Sequence, residues 1–248
     1  QMMFNKILVL ADQEVKIQHY EDLARHVFKN LDVANDVSFS NGPMDVLDHS
    51  CSKLGFGGKM GIDGTTKYDE ETDTTRASIT EPVDTQKLRT ALSAFPEIRH
   101  INVSLPLKDI PCIIISVEKN RIGHVKTLHR QIAAIDEMLK IKMVLYVEYT
   151  VDANDLTTAL WRFCNNLAPK RDHVLAETDV NGKTVACLGL DGTRKTRELD
   201  NFERDWPNII VSDDKTINSV DAKWATLGLG EFVPSPSLRF KTQIYGDE

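Results

Sequence analysis

The chain has 248 residues and a formal net charge of −7 at pH 7, with 41% hydrophobic and 27% charged residues. This composition is ordinary for a soluble globular protein, and the acidic balance argues against nucleic-acid binding, which needs a basic face. No apolar run reaches the roughly 18 to 20 residues that span a bilayer, and no signal peptide opens the chain, so a cytoplasmic location is expected.

The first predicted elements are a strand and an amphipathic helix. Residues 6–11 form a continuous apolar run, which is typical of a strand buried on both faces. Leu23, Val27 and Leu31 then recur on one helical stripe. A second, short strand is predicted at residues 37–39.

The middle of the chain predicts a strand-helix-strand crossover. A strand at residues 113–117 is followed by apolar side chains that repeat every three or four positions over residues 122–139 and then by a strand at residues 143–147. Such a crossover favours a mainly parallel or mixed sheet with helices on both faces, which is an α/β fold. On the crossover helix, His124 and His129 are predicted to be solvated.

The second half of the chain repeats the order of the first. A helix over residues 156–167, stopped by Pro169, follows the strand at 143–147. Each half also closes with a strand and a helix. These closing elements are predicted at residues 77–79 and 85–95 in the first half and at residues 209–211 and 216–227 in the second.

A short repeated sequence motif indicates an internal duplication of an α/β unit. The sequence GIDGTTK at residues 61–67 returns as GLDGTRK at residues 189–195, with five of seven positions identical. The loop at residues 41–58 is unique to the first copy. We therefore predict one repeat over residues 1–105, a second over residues 106–233, and an extended arm over residues 234–248. In this arm, alternating apolar side chains predict a strand.

A glycine-rich loop at residues 55–61 contains one lysine. Gly57, Gly58 and Lys59 are therefore weak candidates for a cofactor or phosphate site, because glycine lets backbone amides approach an anion. The segment matches neither of the common phosphate-binding patterns, and a strand rather than a helix follows it. A structural turn is the favoured interpretation.

Acidic residues and a histidine lie close together just before this segment. Asp45, Asp48, His49 and Asp63 could form an oxygen and nitrogen metal site, but a hydrogen-bonded loop in which Asp48 binds backbone amides and His49 is satisfied locally is favoured. A hydrolase based on the neighbouring serine is disfavoured, because the GxSxG pattern is absent. Asp63 and its counterpart Asp191 each follow a strand and are predicted to fix the next turn.

Several segments carry a resemblance to a known family. They are DVLDH at residues 45–49, GKMGIDGT at residues 58–65, ISVEK at residues 115–119 and APKRD at residues 168–172. In this order they resemble the carboxy-terminal region of the UbiD family of prenylated-FMN-dependent carboxy-lyases. The long members linked to menaquinone or ubiquinone biosynthesis are the most similar.

The resemblance implies an α/β region of a decarboxylase that acts on an aromatic or unsaturated carboxylic acid. The family's flavin-binding barrel, with its catalytic residues and its metal ligands, lies amino-terminal to every segment seen here. The resemblance therefore implies prenylated FMN and a divalent metal in the full-length enzyme. In this chain it implies no catalytic residue, no metal ligand and no activity when the chain is alone.

The resemblance also implies partners. They are a second copy of the chain in a homodimer, with the arm at residues 234–248 packed across it, and the amino-terminal flavin-binding domains of the same protein. Two other functions stay open. One is a noncatalytic module for oligomerisation or partner binding, and the other is a free-standing nucleotide-binding protein.

Overall fold

The computed structural model describes residues 4–77, 79 and 81–244, and this part of the chain divides into two units. The first unit ends at Trp206, and the second begins at Pro207. The repeat boundaries proposed near residues 105 and 233 are not unit boundaries of this kind, and they stay predictions. Every helix in the described residues falls short of the length and apolarity needed to cross a membrane.

A three-stranded sheet opens the first unit. Its strands are β1 (Ile7–Leu10), β2 (Val37–Pro43) and β3 (Phe56–Asp63), arranged in the order β1-β3-β2. β1 runs parallel to β3, whereas β2 runs antiparallel to it. Helix α1 (Tyr20–Asn30) joins β1 to β2 and packs Val27 into the core, as its apolar stripe predicts.

A five-stranded mixed sheet forms the rest of the core. It contains β4 (Ile98–Asn102), β5 (Cys112–Val117), β6 (Met143–Glu148), β7 (His173–Val180) and β8 (Lys183–Asp191) in the order β4-β5-β6-β8-β7. β5, β6 and β8 are parallel, and the edge strands β4 and β7 are antiparallel to their neighbours. The predicted crossover and the α/β fold class are confirmed.

Helices cover both faces of this sheet, so that two apolar layers form. Along β6, Val144 and Tyr146 belong to the layer that contains α3, whereas Leu145 belongs to the layer shared with α4 and the first sheet. The remaining helices are α2 (Thr85–Leu92), α3 (His124–Ile132), α4 (Leu156–Asn166), α5 (Pro169–Asp172), α6 (Arg197–Asp200) and α7 (Asp214–Lys223). Short 3-10 helices span Asp69–Glu71, Pro106–Lys108, Asp136–Lys140, Trp224–Thr226 and Pro236–Gln243.

Two histidines of α3 are buried, which corrects the prediction that they are solvated. His129 Nε2 lies 3.0 Å from the carbonyl oxygen of Cys187 and its Nδ1 lies 2.8 Å from the hydroxyl of Tyr146. His124 lies 3.1 Å from a carboxylate oxygen of Glu97. The sequence places both rings on a polar stripe, but each ring meets a polar partner from a distant segment, which satisfies a ring nitrogen.

Three predicted strands are also corrected. The strand at residues 209–211 is absent, and those residues have no regular structure. Pro236–Gln243 forms a 3-10 helix instead of the extended strand expected in the arm, because Pro236 starts a helical turn, and residues 245–248 lie outside the described part. At residues 77–79, Ala77 donates to the carbonyl of Thr184 without forming a strand, and residue 78 is not described.

The first strand differs from expectation in its burial. The continuous apolar run predicts a strand covered on both faces, yet the side chains of Leu8, Val9 and Leu10 are all exposed. The reason lies in the sheet order, which places β1 at an edge, so that in the described residues only β3 pairs with it.

The two sheets share one pattern of pairing. β1 pairs with β3 so that Leu8 lies opposite Gly61, and β6 pairs with β8 so that Val144 lies opposite Gly189. In each case an antiparallel strand, β2 or β7, completes the set on the far side. This arrangement agrees with the order of elements in the two proposed repeats, and the duplication itself stays a prediction.

Candidate functional site

The loop between β2 and β3 is held by its own side chains. Asp45 Oδ1 accepts a hydrogen bond from the amide of Leu47 at 2.9 Å. Asp48 Oδ1 accepts from the amide of Ser50 at 3.0 Å and from its hydroxyl at 2.6 Å. These are the local turns that short acidic side chains form with the backbone, and the loop folds in the way that the hydrogen-bonded interpretation describes.

A lysine that precedes β1 contacts two side chains of this loop. Lys6 Nζ lies 2.8 Å from Asp48 Oδ2 and donates to Ser50 Oγ at 3.1 Å and to the carbonyl of Cys164 at 3.2 Å. Burial raises the pKa of Asp48, but the hydrogen bonds from Lys6 and Ser50 outweigh this effect and lower the pKa below its usual value. Asp48 is therefore ionised at neutral pH.

The histidine of the loop leads into a chain of buried polar contacts. His49 Nε2 lies 3.2 Å from Asn166 Oδ1, and Asn166 Nδ2 donates to Glu148 Oε2 at 3.2 Å. Glu148 is paired with Arg162, whose Nε donates at 3.1 Å. Burial lowers the pKa of His49 below its usual value, so the ring is neutral at neutral pH and its Nε2 donates to the amide oxygen of Asn166. The partner of His49 is therefore 117 residues away and not local.

Two arginines bind the backbone of the same loop. Arg171 on α5 donates to the carbonyl of Ser50 at 2.8 Å, and Arg204 donates to the carbonyl of Cys51 at 2.7 Å. Burial lowers the pKa of the Arg171 guanidinium, but its pairing with the buried Asp172 outweighs this effect and raises the pKa above its usual value. The loop of the first proposed repeat is thus fixed by its own side chains, by Lys6 and by residues of the second repeat.

The repeated segment, at residues 61–67 and 189–195, forms the same hydrogen bonds in both places. Asp63 Oδ1 accepts from the amide and the hydroxyl of Thr65, and Lys67 Nζ donates to the carbonyl of Asp63 at 3.0 Å. Asp191, Thr193 and Lys195 repeat these contacts, with 2.8 Å from Lys195 Nζ to the carbonyl of Asp191. Both aspartates fix the turn after a strand.

The two repeated segments differ in the burial of their aspartate. Asp191 is almost fully buried, with Lys195 Nζ 3.1 Å from its carboxylate. Burial raises the pKa of Asp191, but Lys195, Lys119 and the hydrogen bonds of Thr193 outweigh it and lower the pKa to about 2. The carboxylate of Asp63 is 44% exposed. The same sequence therefore contributes a buried charge in one place and a surface turn in the other.

A second pair of polar side chains lies beside each repeated segment. At the end of β1, Asp12 Oδ2 lies 3.0 Å from His26 Nε2 and accepts from the amide of Thr66 at 3.0 Å. Glu148 at the end of β6 and Arg162 on α4 hold the matching places, each 136 positions further along the chain than Asp12 and His26. Sequence reasoning missed Glu148 and Arg162, although this constant offset could have found them.

Comparisons with known proteins identify the family of this chain. The family described as the 3-octaprenyl-4-hydroxybenzoate carboxy-lyase C-terminal domain matches residues 1–64 and 75–188. The chain belongs to this family. The match includes strands β1 and β3 and the loop between β2 and β3, residues 44–55, which we call the anchored loop. The resemblance of the sequence motifs to the UbiD family is thereby confirmed.

Relatives and solved structures match parts of longer chains. An uncharacterized protein of Helicobacter pylori strain J99 is 28% identical over 214 residues, which is 84% of this chain and 31% of that protein. A protein of Aquifex aeolicus is 41% identical over 70 residues, covering 28% and 14% of the two chains. This chain thus spans about a third of the length of the Helicobacter relative.

Solved structures of a decarboxylase and of a UbiD-class enzyme resemble parts of the chain. The vanillic acid decarboxylase of Sedimentibacter hydroxybenzoicus in its closed form has a TM-score of 0.43 and 14% identity, over 72% of this chain and 39% of that one. The enzyme HmfF of Pelotomaculum thermopropionicum, in complex with FMN, has a TM-score of 0.38 and 20% identity, over 54% and 31%. Both likenesses are partial.

The glycine candidates lie in a strand of this UbiD-type domain. β3 begins at Phe56, so Gly57 and Gly58 pair with β2, and only Gly55 turns, with a φ of 70°. A Cβ on Gly58 would lie 2.6 Å from the backbone nitrogen of Lys170, so this glycine permits close approach of α5. Lys59 Nζ donates to the carbonyl of Asn5 at 2.8 Å. This geometry fits close packing better than a phosphate cradle.

Neither a metal site nor a serine nucleophile is assembled around the loop. In the described residues, no three His, Cys, Asp or Glu side chains come together to hold a metal ion. The Ser50 hydroxyl donates to Asp48, and His49 points instead to Asn166. The divalent metal that the UbiD resemblance implies therefore has no ligand set in this part of the chain, and the hydrolase alternative has no serine-histidine pair.

Proposed function

We propose that these residues form the carboxy-terminal region of a UbiD-class decarboxylase, where they assist assembly and shape one side of the substrate cleft. The match to the family over residues 1–64 and 75–188 carries this proposal. The whole enzyme would remove CO2 from an aromatic or unsaturated carboxylic acid, in a quinone pathway. Prenylated FMN, which acts as the electron sink in such enzymes, and the divalent metal would be held by amino-terminal domains.

The anchored loop supports the cleft-shaping role. Ser50 is buried and Asp48 and His49 are partly buried, while Val46 and Leu47 are 62% and 85% exposed. Just after them, Lys6 holds the side chain of Asp48, and Arg171 and Arg204 hold the backbone carbonyls of Ser50 and Cys51. An apolar tip on a fixed base suits contact with another apolar surface, because little conformational entropy is lost on binding. We assign this tip to the wall of the cleft.

A test joins these residues to the part of the Helicobacter relative that lies outside the matched region. The fusion is expected to release CO2 from an aromatic carboxylic acid, and Leu47→Asp should lower that rate at least tenfold. Leu107→Asp is the matched control, since Leu107 is also strongly exposed but lies outside the loop. Equal rates for the two variants would contradict the cleft-shaping role.

The chain alone provides the complementary measurement. Purified as 248 residues, it should bind neither FMN nor prenylated FMN tightly and should release no CO2. A yellow protein after purification, or CO2 release by the isolated chain, would show that the flavin chemistry lies here and would refute the proposal.

A noncatalytic partner-binding module is the second candidate. It is favoured by apolar side chains in the second unit, where Ile210 is 91% and Leu229 is 65% exposed. Under this alternative the fusion would assemble with its partner but would show no dependence of CO2 release on Leu47.

A further inference from the structure

The first strand leaves one edge unpaired in the described residues, because the sheet order is β1-β3-β2. Leu8, Val9 and Leu10 are exposed by 37%, 44% and 50%. Native edge strands are normally protected by charges, proline or a bulge, since an open apolar edge is a template for another strand. Residues 7–10 carry none of these devices.

The hydrogen-bonding groups of this edge point outward. The amide of Met60 donates to the carbonyl of Lys6 at 2.9 Å, and that of Gly64 donates to the carbonyl of Leu10 at 3.0 Å. Alternate residues of a strand direct their N–H and C=O groups to opposite edges. The groups of Ile7 and Val9 therefore face away from β3, towards the open edge.

In the five-stranded sheet, the strand that corresponds to β1 is β6, and both of its edges are paired. β6 pairs with β8 in the same register as β1 pairs with β3. On its other edge, β6 pairs in parallel with β5, with Ile113 opposite Val144 and Ile114 opposite Leu145. With β5 and its helix in place, all residues of β6 are buried.

A second copy of the chain does not fit this position. Two β1 strands related by a two-fold axis would pair antiparallel, whereas the position beside β6 is filled by a parallel strand. Additional polypeptide exists in the relatives, since this chain covers 31% of the Helicobacter protein. A strand from that part is the occupant that fits both observations.

We infer that the open edge of β1 binds a parallel, apolar β-strand supplied by polypeptide outside these 248 residues, in the position that β5 holds beside β6. The strand has β-branched, uncharged side chains, and its backbone pairs with Ile7 and Val9. This is strand addition, in which main-chain hydrogen bonds supply affinity and side chains set register. The inference is independent of the decarboxylation proposed above.

The probe is a synthetic peptide of residues 110–118 of this chain, with Cys112→Ser, terminal lysines for solubility and a fluorescent label. It should bind the purified 248-residue chain saturably. Val9→Pro should weaken binding at least tenfold, because proline removes an outward N–H and leaves the pairing with β3 in place. Val9→Thr keeps the N–H and should bind within threefold of the unmodified chain.

Hydrogen exchange on the unmodified chain gives a second readout that does not require a variant to fold. Saturating peptide should slow exchange of the Val9 amide at least tenfold and leave the Leu8 amide, which faces β3, unchanged. Absence of saturable binding, equal binding by Val9→Pro, or protection elsewhere would overturn the inference. A dimer that Val9→Pro dissociates would also overturn it, because a second copy would then occupy the edge.

Discussion

At the scale of single residues, one repeated aspartate stabilises two turns of unequal burial. Asp191→Ala leaves the buried Lys195 with only the carboxylate of Asp172, at 3.8 Å instead of 3.1 Å. Loss of one partner of a buried charge network costs about 3 kcal/mol. Asp63→Ala removes turn hydrogen bonds from a half-exposed position, at a cost of about 1 kcal/mol. Urea midpoints of the two variants measure this difference, and equal midpoints would contradict it.

His129 makes stability depend on pH. Burial lowers the pKa of His129 to about 4 from 6.5, although its hydrogen bond to the backbone of Cys187 raises it. Between pH 6.5 and 4, His129 is protonated in the unfolded state but not in the folded state. The free energy of unfolding therefore falls as the pH falls through this range, by roughly 3 kcal/mol. Urea melts at several pH values should show this slope, and it should be smaller in His129→Gln.

At the scale of elements, the contact between α5 and β3 depends on the absence of a side chain. In Gly58→Ala the new Cβ would lie 2.6 Å from the backbone of Lys170, so α5 must move and stability should fall by about 1 to 3 kcal/mol. Gly42→Ala is the control, because its Cβ meets the flexible end of Lys59 at 2.8 Å. Thermal melts compare the two, and a control as unstable as Gly58→Ala would count against the packing argument.

At the scale of the whole molecule, assembly through the carboxy-terminal arm stays a prediction. In the second unit, Ser237 accepts from the amide of Ser212, and Lys241 lies 3.2 Å from Asp214. The arm thus has contacts within its own unit. If it also joins two copies, a chain cut after Val233 should be a monomer by light scattering where the full chain is a dimer, and an unchanged mass would remove the arm from the assembly.

Periodic apolar patterns predicted the central elements of the fold, but not the edge strands β4 and β7. The crossover from β5 through α3 to β6 and the stripe of α1 are visible in the sequence because burial on one helical face or in one strand selects residues at fixed intervals. The weak predictions were short ones. Residues 209–211 are apolar but form no strand, since no neighbouring strand pairs with them in the described residues.

The site was only half visible in the sequence. The local turns of Asp48, Asp63 and Asp191 follow from residue type and spacing, because a short carboxylate binds amides within two positions. The partners of the loop did not follow. His49 meets Asn166 and Arg171 meets the carbonyl of Ser50 across more than 100 positions of sequence.

The sequence by itself determined the α/β class, the resemblance to the family and the core elements α1, β5, α3, β6 and α4, since these depend on local periodicity and short motifs. Tertiary structure alone decided burial. It placed His129 in the core, left Leu10 exposed at an edge, and made Asp191 a buried charge and Asp63 a surface turn. The physical reason is that exposure depends on which distant segments cover a residue, and no local pattern records them.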